Sequence, residues 1–255
     1  MTSIAERHKH IVDILQKEGF VKVTEAANDL KVTTATIRND FKYLESKKLL
    51  FRTHGCASAI NPHTIDLNLT EKEKIKKEEK QKIAKAAYQL IEKKDSIIVG
   101  AGSTIFSLAE EIKPIDQLTV VTASLKVAIL LNELNDTNVI QLGGMIRKNS
   151  VSTIGDYTSK FFDDITCSKL FLGVDGIDHE YGITNSNIEE AQLNKRMVEA
   201  SLKTIILADS SKFGKRGFGR ICDLDKIDVI VTDAGITDTM SKIIEDAGIE
   251  LIIAT

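Results

Sequence analysis

The tripeptide Gly102-Ser103-Thr104 follows the apolar run IIVG and precedes IFSLAEEI, so it reads as a strand-to-helix turn. A glycine and two hydroxyls at a helix N-terminus suit an anion. The glycine lets the backbone approach, the hydroxyls donate, and the helix end favours negative charge. A phosphate matches that chemistry, although the turn lacks the full pattern of a P-loop or of a dinucleotide site. Taken alone, a simple strand-to-helix turn explains it better. Other apolar runs end in similar chemistry: Thr122-Ala123-Ser124, Gly143-Gly144, Asp175-Gly176-Ile177-Asp178 and Asp209-Ser210-Ser211-Lys212-Phe213-Gly214. Carboxylates accept hydrogen bonds from sugar hydroxyls, and Lys212 can neutralise a phosphate. Asp175 and Asp178 have a competing use as turn caps beside Gly176. The convergence of these strand ends favours a site for an anionic, hydroxyl-rich ligand.

The elements that must position these residues are legible from residue 96 onward. IIVG, LTVVT, VIQLG, KLFLG, TIILAD, DVIVTD and ELIIA are continuous apolar runs, as parallel strands buried on both faces require. Helical stretches near 104–112, 124–134, 154–165, 188–201 and 238–246 separate them. The expected fold is an open, mostly parallel α/β sheet, in which ligands bind at the carboxyl ends of the strands.

A second set of candidates lies in residues 19–57. The first helix is expected from about Ile4 to Lys17, with Ile11, Ile14 and Leu15 as its core stripe and Gly19 as its stop. Thr24 is read as the cap of a short helix through Leu30, and Thr33 as the cap of the next. In that next helix Ile37, Phe41 and Leu44 form one apolar face, leaving Thr34, Ala35, Thr36, Arg38, Asn39 and Lys42 outward. A small N-terminal turn with an arginine on the wet face is shaped for the DNA major groove. Leu49 to Thr53 and Ala57 to Ile60 read as two strands around His54-Gly55-Cys56. Three helices and such a wing make a winged helix-turn-helix, with Arg38 reaching a base edge or phosphate and Lys42, Arg52 and His54 facing the DNA backbone. Pairing of Arg38 with Asp40 or Glu45 on a solvated helix is the plainer alternative.

A chain of 255 residues suggests two domains. Residues 1–60 carry a net charge of +3 and the remainder −6, which suits a basic DNA-binding head on an acidic body. The boundary is placed at the polar stretch around Pro62, giving a head over 1–60, a linker over 61–72 and a larger domain over 73–255. The run EKEKIKKEEKQK (71–82) reads as the solvated start of a long helix, with Glu73–Lys77 and Glu78–Lys82 as favourable i, i+4 pairs. Cys56, Cys167 and Cys222 have no metal or redox spacing, so a reducing compartment and no metal site are expected. No apolar run approaches the roughly 18 residues of a membrane span, and the polar N-terminus lacks a signal-peptide core. A cytoplasmic, nucleoid-associated location without a membrane partner is the expectation.

Arg7, Ile11, Leu15, Gly19, Val21, Val23, Val32, Thr33, Thr36, Ile37, Arg38, Asp40, Leu44, Glu45, Arg52, His54, Gly55 and Ala57 together resemble the N-terminal pattern of the DeoR family of bacterial sugar-metabolism regulators. The chain departs from that pattern at Asn39 (usually Arg), Phe41, Lys48 and Cys56. Asn39 matters most, since asparagine reads adenine where arginine favours guanine. The strand-end motifs likewise resemble the family's sensor domain, with Ala123 in place of its Asn. The resemblance implies a regulator, usually a repressor, of a sugar or polyol catabolic operon. Such a protein binds double-stranded operator DNA, releases it on binding a phosphorylated sugar, and is a homodimer or homotetramer.

The sensor domain is in turn similar to ribose-5-phosphate isomerase, of the isomerase/CoA-transferase-like fold, which makes a sugar-phosphate isomerase with an attached DNA-binding domain the rival reading. Laying the isomerase's A-S-K over Ser210-Ser211-Lys212 brings its catalytic glutamate onto Asn194, and an amide cannot take up that proton. Its K-G-G-G loop is replaced by Tyr181-Gly182-Ile183-Thr184, while Glu189 and Glu190 lie near the missing base. The phosphate-side groups Ser103, Thr104, Lys212 and Lys80 are kept. No catalytic residue is therefore expected. No cofactor is expected either, because no acidic residue stands about 20 residues beyond the glycines.

Overall fold

The computed structural model describes residues 3–18, 20–47, 49–53, 55–58 and 66–255, with Gln16, Lys17, Glu18, Thr53 and Ser58 described by backbone alone. The chain divides into a first unit ending at Ile65 and a second beginning at Asp66. Gly19, Lys48, His54, Ile60 and Pro62, each given a role above, lie outside the described residues.

The first unit runs α1 (Ile4–Glu18), β1 (Phe20–Lys22), α2 (Val23–Asp29), α3 (Thr34–Ser46), β2 (Phe51–Thr53) and β3 (Cys56–Ser58). Its antiparallel sheet has the order β1-β3-β2, so a strand just after α1 completes the wing. Ile11, Leu15, Ile37, Phe41, Leu44 and Leu50 form its core. Thr33 caps α3, its side chain accepting from the Thr36 amide at 3.2 Å. Thr24 does not cap α2. The cap position falls two residues earlier, at Lys22, with no side-chain cap bond, and the helix starts at Val23. The Val23 amide instead donates to the Gly55 carbonyl at 2.9 Å, so the wing satisfies a helix-end donor that a cap would otherwise serve.

A buried pair fastens α3 to α1. Arg7 Nε and a second guanidinium nitrogen donate to the two carboxylate oxygens of Asp40 at 2.5 and 2.8 Å, and His8 Nε2 lies 3.0 Å from the same carboxylate. Burial opposes ionisation of Asp40, but Arg7 and His8 outweigh it and hold the carboxyl below its usual range. His8 also stacks on Tyr43 of α3, ring centroids 4.9 Å apart.

The second unit opens with α4 (Leu69–Lys74), α5 (Lys77–Tyr88), β4 (Ser96–Val99), α6 (Ser103–Glu111), β5 (Leu118–Thr122), α7 (Leu125–Leu131) and β6 (Thr137–Gln141). A hairpin, β7 (Met145–Arg147) and β8 (Ser152–Ile154), leads to α8 (Asp156–Lys160). Then follow β9 (Lys169–Gly173), β10 (Gly176–Asp178), β11 (Gly182–Asn185), α9 (Ile188–Glu199), β12 (Thr204–Leu207) and β13 (Gly219–Cys222). The chain closes with β14 (Val229–Asp233), α10 (Asp238–Asp246) and β15 (Glu250–Ala254). All seven apolar runs enter one parallel, seven-stranded sheet of order β15-β14-β12-β9-β4-β5-β6. Successive strand residues alternate between two cores: Ile97, Val99, Phe171 and Ile205 pack with α5, α6 and α7, and Ile98, Leu170, Leu172 and Ile206 with α9 and α10.

The charge run departs from its expected form. The helix breaks at Ile75–Lys76, where Lys76 is left-handed at φ +56°, and α4 stands apart from α5. Glu73 pairs with Lys126 at 2.5 Å in place of the expected Lys77, and Lys76 pairs with Glu79 at 2.6 Å. Asn68 caps α4 by accepting from the Glu71 amide at 2.9 Å, so the end of the expected linker is helical and belongs to the second unit. Among the described residues, no helix is long and apolar enough to cross a membrane.

Removing Arg7 leaves the Asp40 carboxylate buried without its bidentate partner, a change that typically costs about 3–5 kcal/mol. Arg7→Ala should therefore lower the unfolding transition of the first unit, read by tryptic susceptibility and calorimetry of the full chain. Unchanged unfolding would show that His8 alone suffices. Because the Asp40 pKa is depressed, the pair's stabilisation is present above the carboxyl's ordinary value and is lost as pH falls through the lowered one.

Candidate functional site

The strand order makes β4 and β9 neighbours at the point where the chain's connections turn opposite ways, β4 leading on to β5 and β9 to β12. A crevice forms outside the carboxyl ends at such a switch point. The two loops there touch, since a Cβ on Gly173 would meet Ile105 at 3.2 Å and the Ala101 carbonyl at 3.5 Å. On the β4 side, Gly102 occupies the N-cap of α6 at φ +116° with no side chain capping the helix. Open space fronts its α-carbon, and Ser103 and Thr104 lie buried in the first turn.

Across the crevice, Asp175 follows β9. Its Oδ2 accepts from the Ser186 amide at 3.0 Å and the Ser186 hydroxyl at 2.8 Å. Its Oδ1 faces Lys72 Nζ at 2.8 Å and Lys212 Nζ at 3.8 Å. Burial works against ionisation, yet the two ammonium groups hold the carboxyl well below its usual range. Lys80 Nζ donates to the Lys72 and Ile75 carbonyls at 2.5 and 2.6 Å. Burial pushes its pKa down to about 8; Asp209 and Glu73 oppose that fall, and Lys212 and Lys72 add to it. Burial and Lys212 also lower Lys215, again against Asp209. Lys72, Lys80, Lys212 and Lys215 thus outnumber the carboxylates of Asp175, Asp209 and, held by Ser210, Asp233. Glu73 is already matched to Lys126.

Of the residues selected from sequence, Lys80, Gly102, Ser103, Thr104, Asp175 and Lys212 gather at the ends of β4, β9 and β12. Thr122 and Ser124 stand at the end of β5 and serve the local backbone. Thr122 Oγ1 accepts from the Ser124 amide at 3.0 Å, and Ser124 Oγ caps α7 by accepting from Val127 at 3.4 Å. Asp178 caps a turn, accepting from the amides of Glu180 and Tyr181 at 2.9 and 2.8 Å, and pairs with Arg216 Nε at 2.8 Å. Gly176 contributes by what it lacks: a Cβ there would sit 2.4 Å from the Lys215 carbonyl and 2.6 Å from Thr184 Oγ1. Asn194 is buried on α9, and Glu190 is engaged by Arg147 NH1 at 3.1 Å. Lys72, Lys215 and Ser186 were not selected from sequence. Lys72 sat in a run whose charges balance locally, and nothing there signalled a partner 103 residues away.

In the first unit, Arg38, Asn39 and Lys42 are exposed on α3, and Thr34 and Thr36 are half-buried in its first turn. Arg38 reaches only as far as Thr34 Oγ1, at 3.4 Å. The partners considered for it are taken, Asp40 by Arg7 and Glu45 by Arg52 at 2.6 Å. Arg52 thus ties the wing to the end of α3.

Two family models match the chain: the DeoR-like helix-turn-helix domain over residues 7–63 and the DeoR C terminal sensor domain over residues 75–234. A putative aga operon transcriptional repressor from Escherichia coli O157:H7 is 32% identical across 99% of this chain and 95% of its own. A lactose phosphotransferase system repressor from Staphylococcus epidermidis is 33% identical across 93% of this chain and 95% of its own. Among solved structures, ribose 5-phosphate isomerase A from Neisseria gonorrhoeae shares 22% identity over 54% of this chain and 53% of its own, at a TM-score of 0.37.

Gly176→Ala should move the Lys215 backbone and loosen β10 against β11, costing about 1–3 kcal/mol as overpacking does. Chemical denaturation of the full chain measures the loss, and a variant as stable as the parent would show that the loop yields freely.

Proposed function

Because the chain belongs to the DeoR family of DNA-binding transcriptional regulators, we propose that it represses a carbohydrate catabolic operon and leaves its operator when a phosphorylated sugar binds beside Asp175. The observation that carries this reading is the charge of the crevice. A surplus of lysine charge at the same sheet edge as an uncapped helix N-terminus complements a phosphate monoester, which bears about −1.5 to −2 near neutrality. Ser103 and Thr104 then serve phosphate oxygens, while Asp175 and Ser186 are placed to meet sugar hydroxyls.

The same residues support binding without catalysis. In the sequence overlay Asn194 takes the place of the similar isomerase's base, and the nearby Glu190 is paired with Arg147, which Asp66 shares. On the DNA side, the exposed Arg38, Asn39 and Lys42 support α3 as the reader of the major groove. A homodimer or homotetramer sets two such helices on an operator repeat, and the protein works in the cytoplasm, where the nucleoid lies. Coupling of about 1–3 kcal/mol between effector and operator suffices for regulation.

Melting temperature against a panel of sugar phosphates, each paired with its free sugar, tests the ligand class. A ligand at 100 times its Kd adds about 2.7 kcal/mol of stability, so one phosphorylated compound should stand out. A free sugar that works as well would remove the phosphate cradle. Arg38→Ala should abolish operator binding by gel shift and leave the effector response intact; retained affinity would place the recognition helix elsewhere. Lys212→Ala should bind operator and ignore the effector.

Lys80 gives the site a pH signature. It is protonated below about 8 and neutral above, so affinity for a phosphate dianion should fall as pH rises through that value. The unfolded chain holds that proton up to about 10.5, so the lysine's own effect on stability has the opposite sign, rising with pH between the two values. Calorimetric titration from pH 7 to 9 reads the inflection. Lys80→Gln should bind more weakly and without it, and an inflection that persists would assign it to another group.

A further inference from the structure

We propose that Lys72 is a ligand-binding residue carried on a strap, residues 66–74, whose docking on the second unit is locked when the site fills. This rests on the phosphate reading of the crevice and adds the route by which occupancy reaches the DNA-binding unit.

The strap is held by polar contacts spread along its length. Asp66 pairs with Arg147 and accepts from Asn149 Nδ2 at 3.1 Å. The Leu69 amide donates to the Asn149 carbonyl at 2.7 Å, Lys72 meets Asp175 at 2.8 Å, and Glu73 meets Lys126 at 2.5 Å. Leu69 is the one side chain of α4 that is buried. An element so anchored belongs to the low-stability end of a fold. A helix of six residues has no stability of its own in water, so α4 is helical only while docked.

The crevice grips both parts of Lys72. Asp175 takes its ammonium, and Lys80 donates to its carbonyl, which also accepts from the Ile75 amide at 3.2 Å, and to the carbonyl of Ile75. A dianion entering among Lys72, Lys80 and Lys212 offsets their mutual repulsion and draws all three inward. Since Lys72 is present only when the strap is docked, a ligand that uses it binds the docked state and shifts the population towards it. The chain runs from residue 66 back through 59–65 to the winged helix. Residues 66–74, released, would add up to about 30 Å of undocked chain next to the first unit. Locking the strap therefore shortens the reach of the DNA-binding units, and a shorter reach restricts simultaneous contact with two half-sites.

Hydrogen exchange of the full chain with and without inorganic phosphate, at ionic strength matched with chloride, tests the lock. Phosphate should slow the amides of 69–75 by about tenfold or more. Titration calorimetry should find phosphate binding about tenfold weaker in Lys72→Met. It should also be weaker in Arg147→Ala, which removes a strap anchor at Asp66; that variant should exchange faster at 69–75 when phosphate is absent. Unchanged exchange of the sheet strands in both variants confirms that the fold is intact. Phosphate binding with no change at 69–75, or with full affinity in Lys72→Met, would overturn the strap and leave the phosphate site standing. A wild-type chain that binds neither phosphate nor any sugar phosphate would overturn both.

Discussion

Asp175 is a carboxylate taken out of water, and a buried charge persists only where partners compensate its lost hydration. Lys72, Lys212 and the Ser186 amide and hydroxyl are those partners. They come from α4, from the loop after β12 and from the end of β11, so one side chain draws three distant stretches of chain together. The parallel sheet makes this possible by delivering β9 beside β4, and the missing side chain at Gly176 lets the Lys215 backbone close over the turn. Two lysines face this one carboxylate, and their surplus is the feature on which the proposed phosphate site rests. Stability and recognition are thus set by the same charges, with opposite demands on them.

The first unit uses a related device without the excess. Arg7 and Asp40 match one for one in a bidentate geometry, supported by His8, and no charge is left over for a ligand. The pair fixes the angle of α3 on α1, which leaves the opposite face of α3 exposed with Arg38, Asn39 and Lys42. The buried Asp40 and the half-buried Asp175 thus do different work, one joining two helices and one gathering lysines.

Most of this was legible in the chain because burial on both faces writes a continuous apolar run. All seven strands of the large sheet are such runs, and IFSLAEEI announces the helix that follows Ser103 and Thr104. Outside that sheet and the wing, the short strands leave no such run: β1, the β7–β8 hairpin and the β10-β11-β13 sheet were all unforeseen. Thr24 misled because a capping residue type stood one place inside a helix whose first amide the wing already served. Thr122, Ser124 and Asp178 have the chemistry of ligand contacts but serve neighbouring amides, a distinction that depends on three-dimensional direction. Lys72 was hidden for the opposite reason. Its neighbours in sequence supplied an adequate local explanation, and the partner that matters lies far along the chain.

The pairing of Arg52 with Glu45 bears on how the protein holds DNA. Affinity for a duplex draws on the counterions released as cations replace them at phosphates, and each such contact steepens the fall of binding with salt. An arginine already matched to a carboxylate brings little net charge to that exchange. The pairing joins the wing to the end of α3, so that the two would meet groove and backbone together. The salt dependence of operator binding should therefore be shallower than the number of basic residues suggests, with a larger share of the affinity resting on shape.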